Sequence, residues 1–192
     1  MVGSSILPVA FHRGQVYFLF GKESPMEKSA KGFSDFGGGM EEGETPLDTA
    51  LREGGEELTG FLGDASTLKR LIENGGGVMH LSHGEGNTLY HVHMFRIVYD
   101  PMLPVYYNRN HSFLWERMDH KMLHNTRLFE KIEIAWMTPQ EMKKRIKEFR
   151  PFYRAIVEHI LSELPAIKSR FHGGSGSGGN KNRKTKKNRE EY

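Results

Sequence analysis

The sequence contains no cysteine. Disulfide bonds and thiolate metal sites are therefore excluded as the means of holding this fold together. The absence suits a reducing compartment, so we expect a cytoplasmic protein, with the nucleus as the alternative.

Long apolar segments are also missing. No stretch approaches the roughly 18 apolar residues that a membrane helix needs, and residues 1–11 do not combine a basic start with a long apolar run, as a signal peptide does. We therefore expect no membrane partner. A chain of 192 residues that is 37% hydrophobic can build the core of one domain. Its sequence gives no indication of an oligomeric state.

The basic residues are unevenly distributed, because many of them lie at the end of the chain. Residues 173–179 are all Gly or Ser, and six of the nine residues 181–189 are Lys or Arg. We predict a folded domain over residues 4–171, and a flexible linker with a disordered basic tail over residues 172–192. Such a tail could contact nucleic acid weakly, address the protein to a compartment, or only solubilise it.

Strand and helix patterns alternate through the folded part, which predicts an α/β or α+β fold. Apolar alternation predicts strands over residues 6–11, 16–22, 68–72, 78–81, 88–98 and 132–137. The hairpin turn between the first two strands is expected at Arg13-Gly14.

Three helices are predicted from their start signals. Thr45-Pro46 opens a helix that runs to about Leu58, and Thr138-Pro139 opens one to about Phe149. A third follows Pro151. Its expected apolar face consists of Phe152, Ile156, Ile160 and Leu161. Residues 101–127 give no firm assignment.

Three glutamates on the first predicted helix indicate a site for a metal ion. Glu53, Glu56 and Glu57 stand at i, i+3 and i+4, so their side chains gather on one face. Crowded carboxylates repel one another unless a cation lies among them. Mg²⁺ prefers oxygen ligands, often one or two carboxylates with substrate phosphates. The segment therefore predicts a Mg²⁺ site for phosphate chemistry, with Mn²⁺ as the alternative. Arg52 and Glu44 can pair and fix the preceding loop to this helix.

The spacing of these residues resembles a known family signature. The pattern Gly38-x5-Glu44-x7-Arg52-Glu53-x2-Glu56-Glu57 resembles the Nudix box, a long and specific motif that covers about 23 residues here. The resemblance implies a Nudix hydrolase with an α/β/α sandwich around a mixed sheet. It implies that water attacks a phosphorus of a diphosphate while Mg²⁺ neutralises the leaving group. The basic tail also resembles, in composition, proteins of large DNA viruses.

The resemblance carries roles over to individual residues. It implies that Glu56 and Glu57 are the principal metal ligands, and that Glu53 binds metal or acts as a general base. Arg52 and Glu44 would form an orienting salt bridge, and the carbonyl of Gly37 or Gly38 would complete the metal shell. A further glutamate from a later loop is implied, for which Glu130 and Glu133 are the candidates. Strand alternation favours Glu130.

Two departures from the motif affect the helix. Gly54 and Gly55 stand inside it, where helical glycines cost roughly 1–2 kcal/mol together relative to Ala. Thr59 stands where the motif has its closing glycine, and Gly60 follows. Neither departure removes a carboxylate.

Several substrates remain open at this stage. Small nucleotides, nucleotide sugars and capped mRNA are all compatible with the motif, and so is a non-catalytic nucleotide- or RNA-binding role. Diphosphoinositol polyphosphates would need a basic pocket, for which Lys143, Lys144, Arg145, Lys147 and Arg150 are the candidates.

Further residues are candidates for ligand contacts. We expect Gly38, Gly39 and Trp115 to contact substrate, the last by stacking on a base. His91 and His93 lie two apart on a predicted strand and are a weaker candidate for a metal pair.

Overall fold

The computed structural model describes residues 2–24, 31–126, 128 and 130–172. Of the predicted Gly/Ser linker and basic tail, residues 172–192, only His172 is described, as the last residue of a helix, and the rest lies outside the described residues. So does part of the loop between residues 23 and 32.

The described residues form one mixed sheet of seven strands. In chain order these are β1 (Gly3–His12), β2 (Gln15–Glu23), β3 (Phe33–Ser34), β4 (Phe36–Gly39), β5 (Val78–His83), β6 (Tyr90–Arg96) and β7 (Lys131–Met137). Their main order is β3-β2-β1-β6-β5, with β4 on β1 and β7 on β2. β1 runs parallel to β6, and the other pairs are antiparallel. The β1–β2 turn is the predicted Arg13-Gly14, with both residues at positive φ.

Helices cover both faces of this sheet. They are α1 (Pro46–Glu57), α2 (Ala65–Asn74), α3 (Met102–Arg117), α4 (His120–Asn125), α5 (Pro139–Lys144), α6 (Tyr153–Ser162) and α7 (Leu164–His172). Because β1 is pleated, its neighbours Ile6 and Leu7 enter different cores. Ile6 packs with residues of α1, α2 and α3, and Leu7 packs with residues of α5, α6 and α7. The result is the predicted α/β/α sandwich.

One predicted strand is wrong. Residues 68–72 lie inside helix α2, which Asp64 caps by accepting a hydrogen bond from the Thr67 amide at 2.8 Å. Leu68 and Ile72 are the buried residues of this helix. Their spacing of i, i+4 is that of a helix. The prediction of a strand was wrong because Leu71, next to Ile72, makes the segment look like a short apolar run.

The helices after β6 also differ from expectation. The unassigned residues 101–127 contain α3 and α4. The helix predicted to reach Phe149 ends at Lys144, and a 3-10 turn follows at Ile146–Glu148. The reason is that the backbone beside Phe149 pairs with β3, where the Arg150 amide donates to the Phe33 carbonyl at 3.0 Å.

One expected core residue is instead exposed. Phe152, predicted on the buried face of the last helix, precedes α6 and is 49% exposed. Tyr153 occupies the core in its place, and Ile156 and Ile160 are buried as expected. Within the described part of the chain, no helix has the length and apolar character needed to cross a membrane.

Candidate metal and phosphate site

Helix α1 begins as its sequence predicts. Thr45 caps it by accepting from the Asp48 amide at 3.2 Å, and the Asp48 carboxylate accepts from the Thr45 amide at 3.2 Å. Pro46 takes the first helical position. Ala50 and Leu51 are buried against the sheet, so the orientation of the helix is fixed.

A tightly bound ion pair connects the loop before α1 to the helix. Arg52 donates from Nε to Glu44 Oε1 at 2.7 Å and from Nη2 to Glu44 Oε2 at 3.0 Å. Thr49 Oγ1 and the Glu41 amide donate to the same carboxylate at 2.7 and 3.1 Å. The Arg52 guanidinium, together with these other donors, lowers the pKa of Glu44 to about 2. The loop is therefore held closed around the start of α1.

Glu53 and Glu56 converge on the other side of Arg52. Arg52 Nη1 lies 2.8 Å from Glu53 Oε1 and 3.8 Å from Glu56 Oε2. The Glu53 carboxylate lies against β4, since a Cβ on Gly38 would be only 2.6 Å from it. Glu56 is the more open of the two, with a side chain 53% exposed against 17% for Glu53. Both carboxylates thus approach the Arg52 guanidinium, and that of Glu53 also lies against the glycine strand.

Glu57 points inward instead. Its Oε2 accepts from the Gly37 amide at 2.7 Å, and its Oε1 lies 3.0 Å from Lys131 Nζ. Burial raises the pKa of Glu57, although the Lys131 ammonium works against that change. Burial alone would lower the pKa of Lys131, but the carboxylates of Glu57 and Glu23 raise it.

These residues belong to a buried ionic cluster. Lys131 also donates to Glu23 and, at 3.2 Å, to Ser34 Oγ. Arg150 Nη1 donates to the same Glu23 oxygen at 2.7 Å. We call Glu23, Glu57, Lys131 and Arg150 the buried ionic cluster. It matches two carboxylates with two cations, which is the condition under which charges are tolerated in a protein interior.

Sequence reasoning missed Lys131 and Glu23. Each stands at the end of an apolar strand, where a charged residue usually marks an exposed strand end. Their pairing follows from the register of β2 on β7, which places Glu23 opposite Lys131. No local pattern shows such a contact between strands so far apart in the sequence.

The two candidate later glutamates occupy different places. Glu133 forms an ion pair with Lys22 at 3.5 Å, with both side chains more than a third exposed. Glu130 comes directly before Lys131, and its carbonyl accepts from the Ser24 amide at 2.9 Å. A metal-binding role for Glu130 stays a prediction.

The other predicted contact residues lie apart from the carboxylates. Trp115, on α3, stacks on the rings of His111 and His120, with centroids 5.7 and 4.2 Å away. Its role in substrate binding stays a prediction. His91 Nδ1 lies 3.0 Å from Ser82 Oγ, and the buried His93 Nδ1 lies 3.1 Å from the Ser5 carbonyl.

The carboxylates fit a hard divalent cation that takes few protein ligands. Among the described residues, no three His, Asp or Glu side chains are grouped closely enough to hold a metal ion by themselves. Glu57 accepts from the Gly37 amide and contacts Lys131, and its role as a metal ligand stays a prediction. Glu53 and Glu56 still offer two convergent carboxylates, and Mg²⁺ commonly completes its shell with water and substrate phosphate.

A cavity borders the glycine strand. Its volume is about 580 Å³, which lies within the range of small-molecule sites. We call it the β4 cavity. It is lined in part by Gly37, Gly38, Gly39, Tyr90, Arg150 and Phe152. Gly38 lines this cavity, and a Cβ on it would lie 2.6 Å from the Glu53 carboxylate, so the glycine strand separates the two.

Sequence comparison finds no relative of the chain. No protein-family model matches it, and no curated protein matches it either.

Solved structures do resemble it. One is a bifunctional NMN adenylyltransferase/ADP ribose pyrophosphatase from Francisella tularensis, complexed with AMP and a Mn ion. Its TM-score is 0.52 at 15% identity, over 84% of this chain and 41% of that chain. A C. elegans Ap4A hydrolase gives a TM-score of 0.49 at 14% identity, over 88% of this chain and 98% of that chain. A Nudix hydrolase from M. Smegmatis gives 0.48 at 14% identity, over 86% of each chain.

The first of these likenesses shows that the chain shares its fold with part of the bifunctional protein. The α/β/α fold around a mixed sheet that the sequence predicts is thereby confirmed.

Proposed function

We propose that the protein is a divalent-metal-dependent Nudix hydrolase that cleaves a phosphoanhydride bond in a nucleoside-diphosphate-linked substrate. One observation carries the proposal: Glu53 and Glu56 both approach Arg52, and Glu53 lies against a strand of three glycines that also borders the β4 cavity. Mg²⁺ is the proposed ion and Mn²⁺ the alternative. The reaction takes place in the cytoplasm in this proposal.

Each part of the site has a task in this reaction. Glu53 and Glu56 hold the ion, and Arg52 with Glu44 keeps their helix face against the loop. Gly37 to Gly39 carry no side chains, so a diphosphate can lie against the backbone there. When bound, a divalent ion supplies positive charge to the diphosphate and to the leaving group.

The charges around the site favour nucleotides over diphosphoinositol polyphosphates. Arg145 pairs with Glu148 at 2.8 Å, and Arg150 pairs with Glu23 at 2.7 Å. The basic cluster predicted around residues 143–150 is therefore partly neutralised, and it does not form the dense pocket that such a substrate needs. Capped RNA remains a second candidate within the proposed class. The basic tail and its resemblance to proteins of large DNA viruses stay predictions.

The test is hydrolysis of a substrate panel with Mg²⁺. The panel contains nucleoside triphosphates, nucleotide sugars, ADP-ribose, dinucleoside polyphosphates, capped RNA and a diphosphoinositol phosphate. We expect turnover of one nucleotide class and its loss, by about 100-fold or more, in Glu56→Gln. Glu56 is the appropriate target because its exposed side chain can be changed without disturbing the core.

Glu133→Gln is the matched control, since it removes an exposed glutamate that pairs with Lys22. It should keep full activity. If wild-type protein turns over nothing and still binds nucleotide, the hydrolase proposal is wrong and a non-catalytic binding domain replaces it.

A further inference from the structure

Phe152 is an exposed aromatic ring with a fixed position. It lines the β4 cavity and is 49% exposed. The guanidinium carbon of Arg150 lies 4.9 Å from its ring centroid, in a cation–π contact. Arg150 Nη1 donates to Glu23 at 2.7 Å, and the Arg150 backbone amide donates to the Phe33 carbonyl at 3.0 Å. The Phe152 ring therefore packs on an arginine whose position is fixed by hydrogen bonds to Glu23 and Phe33.

Tyr90 supplies a second rigid wall. Its ring centroid lies 6.0 Å from that of Phe152 at an interplanar angle of 68°. The Tyr90 hydroxyl donates to Asp35 at 2.8 Å. Gly3 makes room for the ring, because a Cβ there would lie 2.7 Å from Tyr90 Cδ2. Two aromatic side chains thus border the cavity in orientations set by the core.

The composition of the walls points to a flat, weakly charged ligand group. Among the described residues that line the cavity, none is acidic, and the basic ones are Arg150 and His83. Because Arg150 is already paired with Glu23, little free positive charge faces the cavity. A flat ring that stacks on Phe152 fits these walls, and a densely phosphorylated sugar does not.

We propose that the β4 cavity binds the nucleobase of the substrate and that Phe152 determines this specificity by stacking on the base. The inference rests on the proposed function, because the base then places the diphosphate on Gly37–Gly39. Gly38 lines the cavity, and a Cβ on it would meet the Glu53 carboxylate, so the glycine strand stands between the proposed base site and that carboxylate. The substrate class is a nucleoside-diphosphate derivative whose base enters the protein.

The chain contains a matched control for Phe152. Phe113 on α3 is 54% exposed and lies under Arg117, with the guanidinium carbon 4.8 Å from the ring centroid. It has the same residue type, exposure and cation–π support, but it does not line the β4 cavity.

The experiment measures ligand affinity without metal, on the full chain in EDTA. NMR titration gives the Kd of AMP, GMP, UMP and ribose 5-phosphate for wild type, Phe152→Ala, Phe152→Trp and Phe113→Ala. Stacking of one base on an aromatic ring corresponds to a change in Kd of about tenfold. We therefore expect Phe152→Ala to raise the Kd of the preferred nucleotide about tenfold and to leave that of ribose 5-phosphate unchanged. Phe152→Trp should preserve affinity, and Phe113→Ala should match wild type.

Three results would overturn the inference. These are unchanged nucleotide affinity in Phe152→Ala, an equal loss for ribose 5-phosphate, and absence of binding of all three mononucleotides to wild type. Failure of the hydrolase proposal is a separate result, because hydrolysis is not measured here. Phe152-dependent binding without turnover on the substrate panel would retain the base site and reject the reaction.

Discussion

Lys131 Nζ and Glu57 Oε1 lie 3.0 Å apart in the interior of the protein, where they join strand β7 to helix α1. The same ammonium contacts Glu23 on β2. Three elements on which the candidate site depends are therefore held together by one side chain.

Lys131→Met should destabilise the protein strongly, because it leaves the Glu57 and Glu23 carboxylates buried with one cation fewer. We expect the free energy of unfolding to fall by about 3–5 kcal/mol. Urea unfolding at pH 7 measures this loss. Lys22→Met is the control, since Lys22 pairs with Glu133 at the surface and should cost less than about 1 kcal/mol. Equal losses in the two variants would contradict the prediction.

Gly54 and Gly55 should respond oppositely to alanine. A Cβ on Gly54 would overlap Cδ1 and Cγ1 of the buried Ile6, whereas one on Gly55 would meet its nearest neighbour at 3.6 Å. We expect Gly54→Ala to cost about 1–3 kcal/mol through overpacking. Gly55→Ala should gain up to about 1 kcal/mol from helix propensity. Thermal and urea unfolding of the two variants measure the difference. A gain in stability in both variants would contradict the prediction, because it would mean that Ile6 can move to make room for the methyl group at no cost in free energy.

Gly38→Ala should weaken metal binding. The added methyl would lie 2.6 Å from the Glu53 carboxylate, which must then shift from its present position. We expect the affinity for Mn²⁺, measured by electron paramagnetic resonance, to fall about tenfold, since a ligating carboxylate is displaced. Gly55→Ala serves as the control, because Gly55 lies on the helix that carries Glu53 and a methyl group there would not approach the carboxylate. Unchanged Mn²⁺ affinity in Gly38→Ala would remove Glu53 from the proposed ligand set.

His93 should make the protein sensitive to acid. Burial, with smaller contributions from His80 and His91, lowers the pKa of His93 from 6.5 to about 4. Above pH 6.5 the imidazole is neutral in the folded and unfolded chains, so its effect on stability is nil. As the pH falls towards 4, the unfolded chain takes up the proton first, and stability is lost by about 3 kcal/mol in total.

The measurement is the free energy of unfolding in urea between pH 7 and pH 4, for wild type and His93→Gln. The wild type should lose more stability than the variant across that range. Parallel curves for the two proteins would mean that His93 does not titrate in this window.

The sequence predicted features whose physical causes are local. The Thr45 cap, the Pro46 start and the spacing of Glu53, Glu56 and Glu57 all depend on residues within a few positions of one another. Strand alternation likewise located five of the seven described strands to within a few residues, namely β1, β2, β5, β6 and β7, and it missed the short β3 and β4. These features needed no knowledge of the tertiary structure.

Contacts between distant residues could not be predicted in the same way. The role of Lys131 depends on the register of β7 on β2, and Phe152 is exposed because Tyr153 occupies the core. The Gly54 departure is explained only by Ile6, which lies 48 positions away in the sequence. At Thr59 the residue type differs from the motif but the backbone does not. Thr59 stands where the motif has glycine, and it still adopts the left-handed conformation, with φ 52°.

The position of β1 has a consequence for how the chain folds during its synthesis. This strand is made first and lies inside the sheet, with β2 and β4 as antiparallel partners and β6 as its parallel partner. The parallel partner emerges only after β5, and β7 completes β2 later still. Pairings between such distant segments form slowly, and apolar strand edges stay open in the meantime. Among the described strands, β1 and β2 therefore wait longest for their full set of partners and are exposed to aggregation for the longest time.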